Sequence, residues 1–147
     1  MRVLAANQSP LADIRITDAE TPFAPGDVLR GSICVNSDNA QDVRSAELSV
    51  LWYTAGKGEE DFGVHYFQRY STDGPDGVEL TRRREFRTLL PENPLSYDGI
   101  VVKVCWCARL RLFLPKGRQQ VLEASFQLGN VAPARLPTLL SPDGDEE

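Results

Sequence analysis

From Ile100 to Leu114 the chain alternates without a break. Ile100, Val102, Val104, Trp106, Ala108, Leu110, Leu112 and Leu114 fall on one parity, while Lys103, Arg109 and Arg111 fall on the other. A period of two puts one set on each face of a strand, so this segment is read as a strand buried on one side. Its length marks it as a central strand of an all-β domain. The ten residues before it, Leu90 to Gly99, hold Pro91, Pro94 and the pair Asp98-Gly99. Proline fixes φ and glycine admits a left-handed backbone, so the chain crosses here between strands without a helix.

The rest of the sequence is read as more strands of the same kind. Asp13 to Asp18 alternates weakly, as an opening edge strand does. Ala24-Pro25-Gly26-Asp27 has proline and glycine where a type II turn needs them. Val28 to Val35 leaves that turn with Leu29, Gly31, Ile33 and Val35 on one face, and Asn36-Ser37-Asp38-Asn39 closes it. Val43 to Thr54 places Ala46, Leu48, Val50 and Trp52 inward; the polar stretch Ala55 to Asp61 turns the chain into Gly63 to Thr72. Val78 to Leu90 is interrupted at Arg82-Arg83-Arg84, where a bulge or loop is expected. Pro115-Lys116-Gly117-Arg118 makes a hairpin into Val121 to Leu128, whose inward residues are Leu122, Ala124, Phe126 and Leu128. About seven strands with turns between them and no helical periodicity predict a two-sheet antiparallel, immunoglobulin-like sandwich. Residues 1–12 are expected to be a flexible leader, 13–131 the sandwich, and 132–147 a proline-rich acidic tail, disordered or docked.

Two turns in this order carry a resemblance. Pro25-Gly26-Asp27-Val28-Leu29-Arg30-Gly31 resembles the Pro-Gly-acidic turn that opens the second strand of arrestin-type domains. Leu90 to Gly99 resembles their proline-containing crossing, which ends in Ser-aromatic-x-Gly, here Ser96-Tyr97-Asp98-Gly99, and enters a long strand. The likeness runs from about Asp13 to Gly129 and is nearest to the small one-domain arrestin-like proteins of bacteria, where Leu51 to Gly58 is also at home. It implies an arrestin-like sandwich of N-terminal type and a non-enzymatic scaffold or adaptor, often near membranes or trafficking machinery. No second sandwich follows and the tail has no Pro-Pro-x-Tyr motif, so receptor desensitisation and phosphate sensing are not implied.

The composition removes several classes of function. A chain of 147 residues is long enough to bury a core unaided. A net charge of −5 argues against general nucleic-acid affinity, which draws on a basic footprint. Of the three cysteines, Cys34 stands alone, while Cys105 and Cys107 point the same way along one strand. They are roughly 7 Å apart, too far for a comfortable disulfide. Reduced thiols in a cytoplasmic protein are expected. The N-terminal residues hold no secretory core, and no stretch reaches the ~18 apolar residues of a membrane span.

No pattern for catalysis or metal binding emerges. Gly56-Lys57-Gly58 is too short for a phosphate loop and is followed by Glu59, Glu60 and Asp61, which repel anions. Those acids lack the spacing of a calcium loop. His65, the single histidine, has no nucleophile motif with it and reads as an outward strand residue. Three thiols fall short of a closed zinc site, and no cofactor is expected. The basic residues are more informative. Lys103, Arg109 and Arg111 share one face, and Arg82, Arg83, Arg84 and Arg87 cluster upstream. Such residues either line a solvated sheet face or meet an anionic partner: an acidic peptide, a phosphorylated segment or a lipid headgroup. In the tail, Leu136, Leu139 and Leu140 precede the acidic Asp143 to Glu147 and are read either as plain disorder or as a segment that docks on a sheet edge in the same chain or across a dimer. The primary expectation is thus an interaction module for protein partners, with peripheral membrane contact and homo-oligomers allowed. The alternative is a small-ligand binder or enzyme using Trp52, Tyr53, His65 and Tyr66.

Overall fold

The structure is a computed structural model that describes residues 6–135. Eight strands form in chain order: β1 (Ala12–Ile16), β2 (Val28–Val35), β3 (Ser45–Gly56), β4 (Phe62–Ser71), β5 (Arg84–Leu89), β6 (Tyr97–Asp98), β7 (Val102–Phe113) and β8 (Gln119–Phe126). All pairings among them are antiparallel. One sheet has the order β1-β2-β5; the other runs β4-β3-β7, and β8 and β6 share the far side of β7. The architecture is a two-sheet antiparallel β-sandwich. Short 3-10 turns at Ser37–Asp42 and Pro115–Gly117 are its helical elements among the described residues.

The inner faces meet in one core, and strand parity says who belongs to it. Leu29, Ile33 and Val35 of β2 face Ala46, Leu48 and Val50 of β3 and Ala108, Leu110 and Leu112 of β7; all are buried. Trp106 sits at the centre with 1% of its surface exposed. Its indole N–H donates to the carbonyl of Pro94 at 2.7 Å, so the crossing segment both closes the core and satisfies its one polar atom. The segment is itself held by Ser96, whose N–H donates to Leu128 O at 2.7 Å and whose Oγ accepts from Leu128 N–H at 2.8 Å. On the other sheet, Phe86 lies opposite Gly31 in register, and a Cβ at Gly31 would stand 2.4 Å from the Phe86 ring. The glycine makes room for the aromatic. The turn before β2 is as expected: Asp27 N–H donates to Ala24 O at 3.0 Å, and Gly26 has φ +88°.

Three expectations need correction. Trp52 is only half-buried; Val102 is 36% exposed and Val104 half-buried because the alternation of β7 outlasts the sheet beside it. Past Val104 it pairs on one side with the fraying end of β3 and on the other with the two-residue β6. The eighth strand is that β6, too short for periodicity to reveal. Third, the outer face of the larger sheet is solvated only in part: Phe62, Val64 and Phe67 of β4 are exposed on it, but its middle is not. Leu51, Tyr53 and Cys107 are buried on it as a second cluster, flanked by Ala55 and Cys105.

Candidate interaction surface

The fold separates the basic residues into two groups on different sheets. Lys103, Arg109 and Arg111 lie on the outer face of β7, and each is engaged. Lys103 pairs with Asp98 at 3.2 Å, and Arg111 donates to Gln119 Oε1 at 2.8 Å. Arg109 Nε donates to Glu123 Oε2 at 2.6 Å, with the two side chains 19% and 4% exposed. An ion pair this well covered is held by geometry, since both charges lose most of their water. This group fastens β7 to β6 and β8.

The second group gathers around β5. Arg82 pairs with Glu79 at 3.4 Å in the loop before the strand. Arg84 turns inward, its guanidinium over the Tyr70 ring at 5.5 Å, and its buried Nε has no hydrogen-bond partner. Arg83 reaches over the outer face of the three-stranded sheet, donating to both carboxylate oxygens of Asp13 at 2.9 Å and to Ser32 Oγ at 2.9 Å. Arg87 points outward from β5, directly opposite Arg30 of β2.

That last pair is the informative one. Opposed like charges on neighbouring strands destabilise a sheet, and an acid at either position would relieve it. Among the described residues neither Arg30 nor Arg87 has an ion pair or a side-chain hydrogen bond. A groove of about 520 Å³ opens beside them, reaching Thr17, Arg83, Glu85 and Tyr66. Around it the same outer face carries Arg15, Arg30, Arg83 and Arg87 against Asp13 and Glu85, an excess of positive charge on a chain whose net charge is −5. Arg30 was not among the expected residues. Strand parity put it outward, but its pairing with Arg87 depends on a register between distant strands that no local pattern encodes.

The proposed aromatic pocket is divided by the pleat. Tyr53 belongs to the outer cluster of the larger sheet, whereas Trp52 and Tyr66 pack against the inner core. His65 is the unpaired residue of a bulge, since Val50 pairs with Tyr66 and Leu51 with Val64. The bulge turns its ring across the open side of the sandwich, where Nε2 lies 2.7 Å from Leu89 O and 3.2 Å from Thr88 Oγ1, and the ring meets Trp106 edge-on. The histidine stays exposed, as a strand residue at the surface, but it is also a tie between β4 and β5. Leu136, Leu139 and Leu140 lie outside the described residues; the described chain leaves along β6, where Ala134 N–H donates to Asp98 O at 3.0 Å. Among the described residues there is no metal-binding group of three or more His, Cys, Asp or Glu, and no helix long and apolar enough to cross a membrane.

Strand order and sheet packing define the class: an antiparallel two-sheet β-sandwich with a basic outer face. Comparison with solved structures places one of the sporulation control proteins beside it. The chain is similar to Spo0M from Bacillus subtilis, with a TM-score of 0.57 and 16% identity over 88% of this chain. It spans about half of that structure's length, 51%. A second likeness, to a β-glucosidase from Listeria innocua, has a TM-score of 0.38 and 13% identity, covering 81% of this chain and 16% of the enzyme. At that score it carries no argument about chemistry. No known family profile matches the chain, and no curated protein does.

Proposed function

We propose that the protein is a non-enzymatic, cytoplasmic adaptor of arrestin type that holds protein partners on the outer face of its three-stranded sheet. The observation that carries this reading is the pair Arg30 and Arg87, two arginines opposite each other in register and, among the described residues, neither in an ion pair. Guanidinium binds carboxylate and phosphate through paired N–H donors, so the face fits an acidic or phosphorylated segment. The neighbouring row supports an extended peptide: Val28 and Leu89 face each other two residues along, with Val28 39% and Leu89 63% exposed. A strand-like ligand that set an anionic side chain over the arginines would set its residue two positions away over that apolar pair.

The test uses the whole chain as bait in lysate of its own cell, comparing wild type with the double variant Arg30→Glu and Arg87→Glu. Each single variant removes the arginine repulsion and should keep or gain stability, whereas the double variant exchanges one like-charged pair for another, so capture is also compared for the two single variants and all are shown folded by their denaturation curves. Partners captured by wild type and lost by the double variant, most clearly at low salt, are the expected result. Equal recovery of every partner by both proteins refutes the proposed face.

A further inference from the structure

We infer that two copies of the chain pair antiparallel through the free edge of β4, joining their larger sheets into one. The observation is a contrast between edges. β1 carries Asp13 and Arg15, and β5 carries Arg84, Glu85 and Arg87, charges of the kind that keep sheet edges from pairing. Along β8, Glu123 N–H donates to Ala6 O at 3.0 Å, so part of that edge is covered. β4 is ten residues long without proline or lysine, its one arginine, Arg69, is paired with Glu47, and among the described residues no strand lies on its far side. Phe62, Val64 and Phe67 stand on its outer face 66%, 52% and 53% exposed.

Main-chain hydrogen bonds narrow the site to the middle of the strand. Thr54 N–H donates to Asp61 O and Thr72 N–H to Arg44 O, which turns residues 62, 64, 67, 69 and 71 toward the free side. The ends of that row are occupied. Phe62 N–H donates to Asp61 Oδ1 at 2.9 Å, Arg69 O accepts from Gln68 Nε2 at 3.2 Å, and Ser71 O accepts from Val78 N–H at 2.9 Å. Among the described residues Val64 and Phe67 are left open, flanking the bulge at His65.

A second copy fits this window because the row is its own complement. A two-fold axis between His65 and Tyr66 sets Val64 against Phe67 of the other copy and Phe62 against its Arg69, with the two bulges side by side. Apolar groups meet, and no like charges do. Arg69 is already neutralised by Glu47 at 2.8 Å, so its approach to an aromatic ring leaves no bare charge behind. The three side chains expose on the order of 300 Å² per copy. Covering them in both copies buries at most about 600 Å², below the ~1,000 Å² of a stable specific interface, so the pairing is weak and concentration-dependent.

The experiment is sedimentation velocity on the full chain over a concentration series, at low and high salt. Wild type is expected to shift from monomer to twice that mass, more readily at high salt because copies of net charge −5 repel. This is opposite in sign to binding at the arginine face. The double variant Val64→Lys with Phe67→Lys, and the matching pair Val64→Glu with Phe67→Glu, should each stay monomeric, and an equal mixture of the two should regain the dimer. A wild type that is monomeric at every concentration, or lysine and glutamate variants that still dimerise alone, overturns the inference. Both variants are read alongside their denaturation curves, since exposed positions change stability little and a folded monomer is the required control.

Discussion

Trp106 shows how one side chain fixes the position of a whole segment. Its ring packs 5.8 Å from Phe126 and 6.2 Å from His65, and its N–H reaches Pro94 O, so core, bulge and crossing share a residue. Trp106→Ala is expected to cost about 3 to 5 kcal/mol in chemical denaturation, the range for emptying a buried aromatic site. A loss below about 1 kcal/mol would show that this packing is not what holds the crossing. Its burial was legible from alternation alone. Arg109 was not, because period two says which face a residue occupies and not what covers that face. The signal was nonetheless present in the hairpin: a tight turn at Lys116 and Gly117 sets Arg109 opposite Glu123. The arginine pair of the proposed site lacked even that clue, since β2 and β5 are joined through two intervening strands.

Among the elements, the open side of the sandwich depends on ties between β4 and β5, which belong to different sheets. His65 reaches Leu89 O, and Arg84 covers the Tyr70 ring. Burial pushes the Tyr70 phenol above its ordinary value of 10.0; Tyr66 adds to the shift and Arg84 opposes it. The folded phenol therefore holds its proton more tightly than the unfolded one. Its contribution to stability is complete below the unfolded value and is lost as pH rises through the folded value. Denaturation midpoints measured upward from about pH 8 should thus fall less steeply in Tyr70→Phe than in wild type once pH passes about 10. Identical slopes would mean that the phenol does not ionise during that loss. Strand identity was legible at this scale because turns and parity agree, as at Ala24 to Asp27 and at Val28 to Val35. The bulge and the length of β5 were not, since Arg82 to Arg84 breaks the alternation without saying whether the strand continues.

For the whole molecule, the two outer faces have different work. That of the larger sheet buries Leu51, Tyr53 and Cys107 and pairs Lys103 and Arg109 with acids in place. That of the smaller sheet leaves Arg30 and Arg87, among the described residues, without an ion pair in a protein of opposite net charge. A bare like-charged pair is a stability cost, and such costs persist where a ligand removes them. The sandwich itself follows from residue pattern, whereas the face follows only once the strands are in register. The most direct measurement is an amide NMR titration of the full chain with an extended phosphorylated peptide and with its unphosphorylated counterpart. The account predicts shifts at Arg30, Ser32, Arg83 and Arg87 with the phosphorylated peptide, weakened by added salt and abolished by Arg30→Glu with Arg87→Glu. Equal responses to both peptides, or shifts confined to other faces, would contradict it.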